Sequence, residues 1–135
     1  GLLKYSHPLT VDEAAVNFPS VTFVIAHCGC PWFVDAAEVV CKNANVCLDL
    51  SGLVEGNPKP LALFEQQAGF FRQLHTWLNY MGDYTRVMYG SDWPLVNIPF
   101  YIRLIAQIVP ERHYEDVFYN NAVRIFNKIA PLLKE

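Results

Sequence analysis

Apolar and polar positions along this chain alternate between short solid runs and longer periodic stretches. Val21, Thr22, Phe23, Val24, Ile25 and Ala26 form a β-branched run without regular polar alternation, the pattern of a parallel strand covered on both faces. Val46, Cys47, Leu48, Asp49 and Leu50 form a second run, and Arg86, Val87, Met88 and Tyr89 a third. Between these runs the apolar residues return at helical spacing. Phe33, Ala36, Ala37 and Val40 predict a helix over 32–42. Phe64, Phe71, Leu74, Trp77, Leu78 and Met81 predict a long helical stretch over 61–81, with a break near Gly69. Ile98, Tyr101, Ile102, Ile105, Ile108 and Val109 predict an amphipathic helix over 98–109. A short helix over 10–17 is expected to start on a capping box of Thr10 and Glu13. Two more helices are expected over 111–119 and 120–129, and residues 1–9 and 56–60 read as loops.

The centres of the first two runs lie 24 residues apart, enough for one crossover helix. Such a unit makes its two strands parallel and its crossover right-handed. With all three strands parallel, their carboxyl ends lie at one end of the sheet. Those ends carry His27, then Asp49 and Ser51, then Ser91 and Asp92. Alternation puts Phe23, Ile25 and His27 on one face of the first strand, and Met88, Gly90 and Asp92 on one face of the third. There is also a loose repeat: strand, polar residue, a turn of Trp and Pro, then helix, at Pro31–Trp32 and at Trp93–Pro94. That is the rhythm of a β/α-barrel, whose catalytic side chains sit at the carboxyl ends of the strands. Histidine and aspartate both bind metals and move protons. Taken alone, Ser91 and Asp92 read equally well as turn and cap residues.

Composition narrows the function classes. The chain has 135 residues, 53% hydrophobic and 17% charged, which suits one compact domain. Ten basic against 13 acidic residues give a formal charge of −3, with no Lys/Arg cluster. Nucleic-acid binding, which needs a basic face, is therefore not expected. No apolar run approaches the ~20 residues that cross a bilayer. Cys28, Cys30, Cys41 and Cys47 offer no C-x-x-C pair and read as buried, reduced thiols of a cytoplasmic protein. His75 reads as a packed or solvated helix residue, and His113 as exposed at a helix start. Trp32, Trp77 and Trp93 read as packing residues, with a pocket for an aromatic acid as the alternative.

Several ordered segments carry a resemblance. These are Phe18-Pro19; Ile25-Ala26-His27-Cys28-Gly29; Asn45-Val46-Cys47-Leu48-Asp49-Leu50-Ser51-Gly52; Arg86-Val87-Met88-Tyr89-Gly90-Ser91-Asp92-Trp93-Pro94; and Asn121-Ala122-Val123-Arg124-Ile125-Phe126. Together they resemble the carboxyl-terminal part of the amidohydrolase-related family of the amidohydrolase superfamily. The resemblance implies an α/β fold, a partial (β/α)8 barrel holding strands six to eight, with residues 1–135 as its carboxyl-terminal half. It implies a site with one or two divalent metals, often zinc, in the intact enzyme. Asp92 would be the strand-eight aspartate that ligates metal and takes a proton from water. His27 would be the strand-six histidine, ligating metal or holding the substrate. The implied reaction is hydrolysis of a C–N or C–O bond in a small-molecule substrate, with decarboxylation as the alternative.

The departures are equally specific. The family's His-x-His pair and fifth-strand histidine have no counterpart among His7, His27, His75 and His113. A barrel takes roughly 250 residues, so the rest is expected upstream of Gly1, the fragment alone is expected to be inactive, and the metal is expected of the intact enzyme. Three strands leave two open edges, which predicts a homo-oligomer or pairing with the missing half-barrel. A non-catalytic α/β assembly module is the second reading. A flavodoxin-like domain would want about five strands, and no Gly-rich phosphate loop is present.

Overall fold

The computed structural model describes residues 1–56 and 59–133. The predicted loop over 56–60 therefore falls partly outside the described residues. The three apolar runs form a parallel sheet of β1 (Phe23–Ile25), β2 (Val46–Asp49) and β3 (Val87–Met88), in the order β1-β2-β3. Register pairs Ile25 with Leu48, and Leu48 with Val87. This row, with Phe23 and Val46, faces the helices and joins their core. Alternation sends Val24, Cys47, Asp49 and Met88 to the opposite face. The architecture is that of a partial α/β barrel.

Helices α1 (Leu9–Asn17), α2 (Phe33–Lys42), α3 (Pro60–Gln66), α4 (Ala68–Met81), α5 (Ile98–Ile105) and α6 (Asn121–Ile125) complete the regular elements. In α2 the buried stripe is Phe33, Ala36, Ala37, Val39 and Val40, while Asp35 opens and Lys42 closes the helix, matching its dipole. Helix α4 buries Phe71, Leu74, Leu78 and Met81. It stops at Gly82, which takes the left-handed conformation (φ 68°) that glycine adopts without a Cβ clash. Helix α5 starts on Asn97, whose side chain accepts from Phe100 N–H at 2.9 Å.

The sequence-based expectations need correction at several points. Helix α1 begins at Leu9 after Pro8, so Thr10 already lies inside the helix and the capping box does not form; its hydroxyl donates to the His7 carbonyl at 2.8 Å instead. The long helical stretch breaks at Gln67, two residues before Gly69. Helix α5 ends at Ile105, and it buries Phe100 and Leu104 while Ile98 and Ile102 stay exposed. Residues 111–129 hold a 3₁₀ turn at Glu111–His113, a π-helical turn at Asp116–Asn120, α6, and the start of a 3₁₀ segment at Asn127–Leu133. Tertiary bonds override helix propensity there. Val117 O accepts from Tyr89 N–H at 2.7 Å, and the buried Asn121 amide donates to Tyr84 O and Val87 O at 2.8 Å each. The outer edge of β3 is thus partly capped rather than open. His113 is half-buried and stacks on Tyr84 at 4.3 Å.

Cys28 and Cys47 are buried, as expected, but Cys30 is half-buried and Cys41 is exposed. All four are free, and burial pushes each thiol above its ordinary pKa, so none is poised as a thiolate. No helix among the described residues is long and apolar enough to cross a membrane.

Candidate active site

The sheet delivers its polar residues to one end, but it does so through left-handed turns rather than by strand alternation. Strand β1 stops at Ile25, and His27 and Cys28 take φ of 57° and 52°. Strand β3 stops at Met88, and Asp92 takes φ of 58°. For residues with a Cβ this region costs about 1–3 kcal/mol each, and it persists only where the surroundings hold it. Both loops also contain a cis X–Pro bond, at Cys30–Pro31 and Trp93–Pro94. The repeat seen in sequence therefore holds in the backbone: a strand end, a left-handed polar residue, then proline.

His27 and Asp92 converge on Gly52, just beyond the end of β2. A Cβ placed on Gly52 would lie 2.3 Å from His27 Nδ1 and 3.0 Å from Asp92 Oδ2. Gly52 has φ of 59° and belongs where no larger residue fits. Gly90 makes a second close approach, its own absent Cβ falling 2.9 Å from Ser51 Cβ. These two glycines let the ends of β2 and β3 close around one point.

His27 is held by the end of β2. Its Nδ1 lies 3.0 Å from Ser51 O and 3.1 Å from Ser51 Oγ, and its backbone N–H donates to Asp49 Oδ1 at 3.1 Å. Asp49 Oδ1 also accepts from the Ser51 N–H and hydroxyl. The Ser51 carbonyl can only accept, so in the neutral ring Nδ1 carries the proton and Nε2 keeps its lone pair. The Asp92 carboxylate is half-buried and has no hydrogen bond from the described residues, which leaves its oxygens available. The site therefore pairs an imidazole with a free Nε2 and a free carboxylate, a combination able to bind a polar substrate and to accept a proton from water.

The structure brings together both predicted site residues, but not a metal cage. Among the described residues no group of three His, Cys, Asp or Glu side chains could hold a metal ion. Zinc takes three or four protein ligands, and His27 with Asp92 supplies two donors. The donor set among the described residues does not fit a resident metal by itself. His7 lies apart, its ring 4.9 Å from that of Trp32. His75 is exposed on α4, bonded to Asn79. Trp93, beside Asp92, is 70% exposed rather than packed.

Sequence reasoning assigned no role to Asp49, Gly52 and Tyr101. A carboxylate inside an apolar strand, Leu48-Asp49-Leu50, was the signal for the first. Tyr101 gave none, since it matches an ordinary core position of α5.

The family model described as Amidohydrolase matches residues 2–128. The chain belongs to this amidohydrolase family. Solved structures agree on the fold. An uncharacterized TIM-barrel protein from Bordetella bronchiseptica superposes with a TM-score of 0.66 at 18% identity, over 94% of this chain and 41% of its own. An amidohydrolase from Burkholderia multivorans, solved with bound zinc, gives 0.66 at 19% identity, over 89% of this chain and 49% of its own. An amidohydrolase from Bifidobacterium longum subsp. infantis gives 0.60 at 20% identity, over 90% and 46%. This amidohydrolase-family chain thus spans less than half the length of each of these relatives. No curated protein is a significant sequence match.

Proposed function

We propose that this chain is the His27- and Asp92-bearing part of an amidohydrolase-type active site that hydrolyses a C–N or C–O bond. One observation carries the reading: both side chains close on the same point at Gly52, at the carboxyl ends of parallel strands. In this reading Asp92, free of hydrogen bonds from the described residues, accepts the proton of an attacking water. His27, with Nδ1 tied to Ser51, turns Nε2 towards the substrate and carries or returns a proton there. A divalent metal such as the zinc of the Burkholderia multivorans structure needs more donors than the two available here. Those donors, and the loops that select substrate, would come from outside these residues. Asp92→Asn in the intact enzyme tests the assignment. Hydrolysis of amide and ester substrates should fall by at least a hundredfold, the size of a general-base contribution of about 10²–10⁴. Turnover at the wild-type rate would remove Asp92 from the mechanism.

A further inference from the structure

The residue that organises His27 is Asp49, and its contacts define what it does. A carboxylate can only accept, and that is how Asp49 is used here. Three donors reach its Oδ1: His27 N–H at 3.1 Å, Ser51 N–H at 3.0 Å and Ser51 Oγ–H at 2.5 Å. A serine hydroxyl has one proton, and here Asp49 takes it. Towards His27 Nδ1, 3.1 Å away, Ser51 Oγ is then left with lone pairs only. Nδ1–H then faces two acceptors, Ser51 O and Ser51 Oγ, and Oγ–H goes to Asp49, so nothing beside Nδ1 competes to donate to it. Without Asp49 the hydroxyl is free to turn its proton onto Nδ1, which favours the opposite tautomer. The same carboxylate also anchors the backbone of the left-handed turn at His27, where φ is 57°.

We propose that Asp49 is a positioning residue for His27, acting through Ser51 to hold the ring as the Nδ1–H tautomer with Nε2 open to the site. It places His27 within the active site proposed above, and so rests on that reading. It touches no reacting atom. An arrangement in which a carboxylate fixes the orientation and tautomer of a working imidazole is a general device, and here the link runs through a hydroxyl.

The test is the tautomer itself, read by long-range ¹H–¹⁵N correlation on the ¹⁵N-histidine-labelled protein. Spectra are recorded about two units above the ordinary imidazole pKa of ~6.5. The His27 signals are assigned by their loss in His27→Gln. In the wild type His27 should be a single Nδ1–H species. Asp49→Leu should convert it to a mixture of tautomers, and Asp49→Asn, which keeps an acceptor oxygen, should restore the single species. In a Ser51→Ala background, where no hydroxyl can donate to Nδ1 and the carbonyl acceptor remains, Asp49→Leu should no longer produce the mixture. A wild-type His27 found mainly as the Nε2–H species overturns the proposal even if Asp49→Leu does not fold. So does an unchanged His27 pattern in Asp49→Leu. Because the readout needs no substrate, a failure here is separate from a failure of the Asp92→Asn hydrolysis test.

Discussion

Tyr101 donates its hydroxyl proton to the carbonyl of Leu50 at 2.5 Å, joining α5 to the carboxyl end of β2. The same oxygen accepts from Leu53 N–H at 3.0 Å. One fully buried side chain therefore brackets the Ser51–Gly52 segment on both sides. Burial pushes the Tyr101 phenol far above its ordinary range, so it stays a donor at any working pH.

Tyr101→Phe keeps the ring and removes only the oxygen. Two buried backbone groups then lose their partner. The expected cost is about 1–3 kcal/mol, seen as a lower midpoint in urea unfolding. An unchanged midpoint would mean that water or a neighbouring group replaces the hydroxyl.

Gly52→Ala should be more disruptive than its single methyl suggests. The new Cβ would sit 2.3 Å from His27 Nδ1, at a φ of 59° that alanine rarely adopts. We expect a stability loss of about 1–3 kcal/mol, together with displacement of the His27 ring. Loss of the His27 Nδ1 bond to Ser51, followed through the imidazole resonances, checks the second part. Gly69→Ala is the control, since its Cβ would meet nothing within 4 Å.

Much of this arrangement is legible in the sequence, and the remainder has identifiable causes. The three apolar runs, their parallel order and the helices α2 and α4 follow from β-branched runs and helical spacing, which local patterns record well. The meeting of His27 with Asp92 was also foreseen, although for a different reason: alternation was invoked, whereas left-handed turns produce it. Such turns are visible in sequence only when glycine marks them, as at Gly82, and not at His27, Cys28 or Asp92. The rotation of α5, burying Phe100 and exposing Ile102, depends on what packs across from it. The irregular segment around Asp116–Asn120 depends on bonds to β3 and the turn before it, as in Asn121 to Tyr84 and Val87, 37 and 34 positions away in sequence.

Acid should weaken the fold through two carboxylates. Bonds from Lys42 and Asn43 hold Asp12 below its ordinary pKa of 3.8. At Asp83 burial pulls upward, but the bonds from Thr85 and Arg86 together outweigh it and the pKa is again lowered. A lowered folded-state pKa gives stability that is complete above the unfolded value and is lost as pH falls through the folded one. The urea midpoint should therefore decline as pH drops below about 4. The double variant Asp12→Asn, Asp83→Asn should start lower and show a flatter decline. An equally steep decline in that variant would place the acid sensitivity elsewhere.

Association is the fourth expectation. Among the described residues strand β1 pairs with β2 alone, and Leu2, Leu3, Tyr5, Phe18 and Val21 are exposed in the segments before it. Unpaired strand edges and contiguous apolar surface favour association. We propose that the chain self-associates or pairs with the missing half of the barrel. Light scattering at micromolar concentration should give a mass above that of one 15.4 kDa chain. A monodisperse monomer would count against the proposal.

His27 and Asp92 both close on the bare Cα of Gly52, which has no side chain to hold them off. The end of β2 is therefore a wall against which both side chains rest. A shift of that strand end would move the contacts of His27 and Asp92 together.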